Sequence, residues 1–144
     1  MNKIKAIGNF QMIVKDLEGN IIETFEEQNM VVLIGKTNLT KLLGGNVAGK
    51  AVTQVAVGTS ATAATLGDTG ITSAFLKAID SVSYPDESSV QFHFTIAYSE
   101  ANGMTIREAG LMLLDNTLFA RKTRADFAKT SANELQGLWT IKFI

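Results

Sequence analysis

Arg107 and Glu108 stand side by side inside an apolar run, Ile106-Arg107-Glu108-Ala109-Gly110-Leu111. Neighbouring residues of a strand face opposite ways, so one of the two charges points inward unless a bulge intervenes. An inward charge needs a partner. Glu108 could serve as a general base, or it could accept hydrogen bonds from backbone amides, from Arg107 or Arg121, or from a neighbouring subunit. There is no second carboxylate at a helpful spacing and no nucleophile nearby, which favours the structural role.

The other chemical candidates are weaker. His93, the single histidine, sits between Phe92 and Phe94 on the opposite face of its strand, towards solvent or a partner subunit. It lacks the companions of a triad or a closed metal site. Gly44-Gly45-Asn46-Val47-Ala48-Gly49-Lys50-Ala51 nearly spells a phosphate-binding loop, but Ala51 lacks the hydroxyl that would hold magnesium. The segment also follows an expected helix and opens a strand, the reverse of what that loop requires. Gly35-Lys36-Thr37 is weaker again, with Met30 in place of the first glycine. Arg121-Lys122-Thr123-Arg124, followed by Phe127 and Lys129, could touch nucleic acid. Yet 13 Lys+Arg against 14 Asp+Glu give a net charge of -1. The run therefore reads as a solvated hairpin end or a complement to acids such as Glu26-Glu27.

These residues must be positioned by strands. Phe10 to Lys15 and Ile21 to Phe25 flank Asp16-Leu17-Glu18-Gly19-Asn20, in which Gly19-Asn20 can adopt the positive φ of a tight hairpin. Val32, Leu39, Leu42 and Leu43 recur at helical spacing up to Gly44-Gly45, predicting one helix of about three turns. Val52 to Val57 is a strand, and residues 60–70 are a small, polar surface loop. Phe75 to Tyr84 is expected as a strand closed by a turn at Pro85. Val90 to Tyr98 alternates with Val90, Phe92, Phe94, Ile96 and Tyr98 on one face, which must be buried. Thr105 to Leu114 is extended, Asp115-Asn116 turns, and Thr117 to Arg121 pairs back. Trp139, Ile141 and Phe143 alternate in a closing strand, which makes Trp139 a core residue. No solenoid repeat is present. The expected class is mainly β (α+β), a compact antiparallel β-sandwich-like domain with one short helix.

The chain has 144 residues, 46% of them hydrophobic and 19% charged, and a mean hydropathy of +0.15. That is too apolar for a disordered chain and long enough to bury about 68–70% of its unfolded surface. The absence of cysteine excludes disulfide scaffolds, thiolate zinc sites and cysteine nucleophiles. Met1-Asn2-Lys3-Ile4-Lys5 is basic but leads into no apolar core, so no signal peptide is expected, and no window approaches the ~18 apolar residues of a spanning helix. The expectations are a protein made in a reducing cytoplasm, no cofactor and no metal. Nucleic acid and membrane are not expected partners.

Several segments, in order, resemble a family of small bacteriophage and prophage virion proteins found as tail-fibre, baseplate or collar-associated domains. They are Gln54-Val55-Ala56-Val57-Gly58-Thr59, Asp68-Thr69, Glu100-Ala101-Asn102-Gly103 with Ile106 to Leu111, Leu118-Phe119-Ala120-Arg121, Ala128-Lys129-Thr130 and Leu138-Trp139-Thr140-Ile141-Lys142-Phe143. The likeness covers about residues 30 to 144 and rests on the order of the motifs. Ser60, where a glycine often follows the threonine, and Met112, in place of a phenylalanine, depart from it. The resemblance implies a non-enzymatic structural protein of the virion, with residues 1–144 as a single structural domain. Such a protein is assembled in the host cytoplasm, self-associates (a trimer by analogy with threefold fibres) and attaches fibres or other virion proteins. Gly58, Arg107, Glu108, Gly110, Arg121 and Trp139 are the structural and interface candidates. Two further readings stay open: a capsid decoration or head-fibre protein, and a host-surface carbohydrate-binding module in which Trp139 and Tyr98 supply stacking faces.

Overall fold

The computed structural model describes residues 3–144; Met1 and Asn2, the start of the basic amino terminus, lie outside the described residues. In chain order the elements are β1 (Ala6–Lys15), β2 (Ile21–Val31), α1 (Leu33–Leu43), β3 (Val52–Gly58), β4 (Phe75–Ala78), β5 (Ser81–Ser83), β6 (Ser89–Ile96), β7 (Thr105–Leu113), β8 (Leu118–Ala128) and β9 (Glu134–Phe143). The protein is mainly β, its strand pairs are antiparallel, and α1 is its single α-helix among the described residues. The chain divides into two compact units. One comprises Met1–Asn29, Ile79–Met104 and Ala128–Ile144, and the other Met30–Ala78 and Thr105–Phe127.

In the first unit the strand order is β2-β1-β9-β6-β5. The β1–β2 turn forms because Asp16 Oδ1 accepts from the amides of Glu18 and Asn20, both at 2.9 Å, and Gly19 takes φ +82°. Alternation then places Phe10, Met12, Val14, Phe94, Ile96, Leu135, Trp139 and Ile141 in the core. Opposite Phe94 in the register lies Gly137, where an added Cβ would collide with the Phe94 ring. Phe94 uses that vacancy to stack on Phe10, ring centroids 6.3 Å apart. Tyr98 lies just beyond β6, half-buried.

In the second unit the order is β4-β3-β7-β8 followed by the end of β2. From Glu108 to Leu113 every residue of β7 is buried, as in a strand covered on both faces. α1 starts behind the buried Val32 and ends at Gly44, with Gly45 at φ +88°.

Three expectations need correction. The segment Phe75 to Tyr84 is not one strand, because β4 pairs with β3 and β5 pairs with β6, either side of Ile79-Asp80. An alternating pattern records a face but not a pairing partner, so two short strands in tandem look like one long one. β8 does not stop at Arg121 but runs seven residues further, to Ala128. The leucine spacing of α1 also misidentifies its inner face. Its buried residues are Gly35 and Asn38, while Leu39 and Leu42 are half-buried and Leu43 is 92% exposed. A Cβ at Gly35 would strike the backbone of Phe119, so the helix packs through its own backbone there.

Candidate functional site

Glu108 lies on β7, Arg121 on β8 and Gly58 at the end of β3, and the loop 59–72 passes over all three. Glu108 is the inward member of its pair and is 1% exposed. Its Oε1 accepts from the backbone amides of Thr72 at 2.8 Å and Ser60 at 3.1 Å, and its Oε2 from Arg121 Nε at 2.7 Å. Arg121, equally buried, also donates to Asp68 Oδ2 at 2.9 Å and to the Thr62 carbonyl at 2.8 Å. One guanidinium thus spans two carboxylates and a carbonyl, a use of its planar fork that lysine could not reproduce.

Asp68 is fixed from the loop side. Burial pushes its carboxyl up, but the Thr65 amide and hydroxyl, both at 2.9 Å, together with Arg121 outweigh this and hold it below the usual range. The loop closes on itself where Thr59 N–H donates to the Thr72 carbonyl. Gly58 is glycine for a local reason: a Cβ there would lie 2.5 Å from Glu108 Oε1 and 2.6 Å from the Thr72 carbonyl. At Gly110 a Cβ would press on Ile71 and Leu118 at 2.8 Å. Both glycines make room for the loop. A polar cavity of about 130 Å³ remains beneath it, lined by Ser60, Thr62, Asp68, Thr72, Glu108 and Arg121.

Arg107 faces the other way and is half-exposed. It pairs with Asp126 at 2.9 Å and reaches the Thr59 carbonyl at 3.2 Å, so it holds the loop's first residue from outside. The chemistry of the cluster follows from its saturation. Both Glu108 oxygens are committed to three donors and are poorly placed to take a proton from a substrate.

No family model, curated protein or solved structure matches this chain.

The remaining candidates lie elsewhere. Trp139, in the first unit, is fully buried, 4.6 Å from the Phe10 ring, and donates from Nε1 to Asn29 Oδ1 at 2.8 Å. It offers no face for stacking a sugar, and the Tyr98 hydroxyl is engaged with the Asp16 carbonyl at 2.5 Å. His93 is half-buried, with Nε2 3.4 Å from Ser83 Oγ. Lys50 pairs with Asp115 at 2.9 Å, so the glycine-rich segment presents no free lysine to a phosphate. Among the described residues no group of three His, Asp or Glu side chains is placed to hold a metal, and no helix is long and apolar enough to cross a membrane.

The basic run Arg121 to Arg124 is not a solvated hairpin end. Arg121 and Arg124 are buried within β8 because the strand continues through them. Arg124 donates to the Ala125 carbonyl at 2.8 Å and stacks its guanidinium 5.2 Å from the Phe127 ring centre.

The roles of three residues are not legible in the sequence. Asp68 stands in the sequence only as part of the Asp68-Thr69 motif, and the one signal for its role is that a buried arginine needs an acid. Asn29, 110 residues from Trp139, leaves no local signal. Lys129 is fully buried, its amine donating to Thr130 O at 2.9 Å, Asn102 Oδ1 at 3.0 Å and Tyr98 O at 3.5 Å. Burial pushes that amine below its ordinary range, and Glu100 and Glu134 pull it back up.

Proposed function

We propose that this protein is a non-enzymatic structural component of a bacteriophage virion, a tail, baseplate or collar part that self-associates and attaches fibres or neighbouring tail proteins. The supporting observation is what the motif residues do together. Gly58, Glu108, Gly110 and Arg121 fasten a surface loop to a strand pair, and their polar groups are spent on the protein itself. Residues kept for such a purpose suit a part whose task is to hold a shape for its neighbours.

The test is to label particles assembled from a genome encoding this chain with an antibody against the purified protein, and to view them by electron microscopy. Label at the tail, baseplate or collar is the expected result. Label confined to the head would move the assignment to a capsid decoration or head fibre, and particles without label would overturn it. Retention on immobilised host glycans, in particles whose tails carry no label, would favour the carbohydrate-binding alternative.

A further inference from the structure

The helix α1, Leu33-Ile34-Gly35-Lys36-Thr37-Asn38-Leu39-Thr40-Lys41-Leu42-Leu43, contains two lysines and no acid. It packs inward through Gly35 and Asn38, which turns Leu33, Ile34 and Leu43 towards solvent. Lys36 and Lys41 are exposed beside them, and among the described residues neither has a carboxylate within ion-pairing distance. Between Leu33, Ile34 and Thr37 of the helix and Leu66 of the loop lies an open groove of about 210 Å³. A surface that is apolar and basic at once, next to a groove, is built to be covered.

The β1–β2 hairpin carries the opposite character. From Ala6 to Val31 it holds five acids, Asp16, Glu18, Glu23, Glu26 and Glu27, against the single cation Lys15. At its tip Leu17 is 69% exposed, and Ile21 and Ile22 are more than half exposed. Glu18 and Glu26 are exposed as well, and their carboxylates accept from the neutral side-chain amides of Asn20 and Asn9, which leaves their charge uncompensated. Here an apolar knob is ringed by negative charge.

Neither surface fits a copy of itself, because lysine would face lysine on one and glutamate would face glutamate on the other. Each fits the other. Resting on the reading that this chain self-associates, we infer that the acidic β1–β2 hairpin tip of one copy docks on the basic α1 face of the next. Leu17 seats in the groove formed by Leu33, Ile34 and Leu66, while Glu18 and Glu26 face Lys36 and Lys41. Such a contact joins two different patches, so it closes into a ring or runs on as a filament, or occurs twice about a twofold axis when each copy offers its hairpin to the other's helix.

The experiment is a charge swap on the full chain, read by light scattering over a concentration series. Glu18→Lys with Glu26→Lys, or Lys36→Glu with Lys41→Glu, is expected to lower the association constant by about tenfold or more, since each reverses two close contacts. Mixing the two variants is expected to restore association, because the basic hairpin of one then meets the acidic helix of the other. Circular dichroism on each variant separates lost association from lost folding, and Leu17→Asp provides a second variant at an exposed turn position. Wild-type association that ignores both swaps would overturn the docking while leaving self-association standing. Association that is lost in the helix swap but untouched by the hairpin swap would overturn it, since the hairpin would then play no part in the contact. A wild type that stays monomeric would overturn it together with self-association, and binding of that monomer to phosphatidylserine vesicles would assign the α1 face to a lipid surface instead.

Discussion

Around Trp139 a single amide serves an indole N–H inside a shell of aromatic and aliphatic side chains; around Arg121 one guanidinium donates to two carboxylates and a carbonyl, and three backbone amides donate to those same carboxylates. The difference follows from what each region has to hold. The strands β1, β6 and β9 bring their own apolar faces, so burial of Phe10, Phe94 and Trp139 stabilises them and the Asn29 bond mainly fixes the ring's orientation. The loop 59–72 offers mostly Ser, Thr, Ala and Gly, with Leu66 half-exposed. It has little apolar area to bury, and charge-assisted hydrogen bonds take over.

Removal of the central side chain from each region should have the largest effect. Trp139→Ala is expected to cost ~3–5 kcal/mol, read as a large drop in thermal midpoint, since it empties a fully buried position. Arg121→Met should cost nearly as much, ~3–5 kcal/mol, because it strands Glu108 without its cation. The two losses should differ in kind. Adding Glu108→Met to Arg121→Met should recover part of the stability, as replacing a whole buried ion pair is often neutral, whereas no second substitution beside Trp139→Ala should do so. Denaturant titration of the single and double variants measures this.

Smaller changes sharpen the contrast. Glu108→Gln keeps an acceptor for the Ser60 and Thr72 amides but discharges the contact with Arg121, an expected loss of about 1.5–3 kcal/mol concentrated in faster amide exchange of the loop. Asn29→Ala leaves the indole N–H buried without its acceptor, for about 1–3 kcal/mol, and Trp139 fluorescence should report the altered environment.

The smallest expected effect is on acid sensitivity. Asp115 is brought from 3.8 to about 2, first by its hydrogen bonds with Thr117 and then by Lys50. A carboxyl lowered by folding adds stability above its unfolded value, and that stability is lost as pH falls through the folded one. The window therefore runs from just below pH 4 down to about pH 2. Asp68, lowered in the same direction, adds to it. Asp115→Asn should flatten the urea midpoint across that window and leave it unchanged in slope at neutral pH.

Legibility in the sequence tracked the distance over which a pattern had to be read. The hairpin at Asp16 to Asn20, the alternating face of β6 and the core position of Trp139 are set within a dozen residues by turn chemistry and period-two spacing, and all were visible. That one of Arg107 and Glu108 turns inward was readable too, with backbone amides and Arg121 among the partners open to Glu108, but period-two spacing alone does not say which of the two charges is the inward one. Asp68 meets Arg121 across 53 positions, and no local rule selects it. α1 misled for another reason. Its leucines have helical spacing, but the close approach at Gly35 decides which face turns inward, and a glycine carries no hydropathic mark.

β9 lies between β1 and β6, with Trp139 in register opposite Phe10 on one side and Phe92 on the other. It is the last of the three to be synthesised. At 5–20 residues per second, roughly 2–9 s pass between the completion of Ile96 and that of Phe143. During that interval β1 and β6 each keep an unpaired rim, the template on which misassembly starts. A chaperone or a protease therefore has seconds in which to act on every nascent copy. A message truncated ahead of Glu134 yields a product that never covers these two rims and stays open to proteolysis.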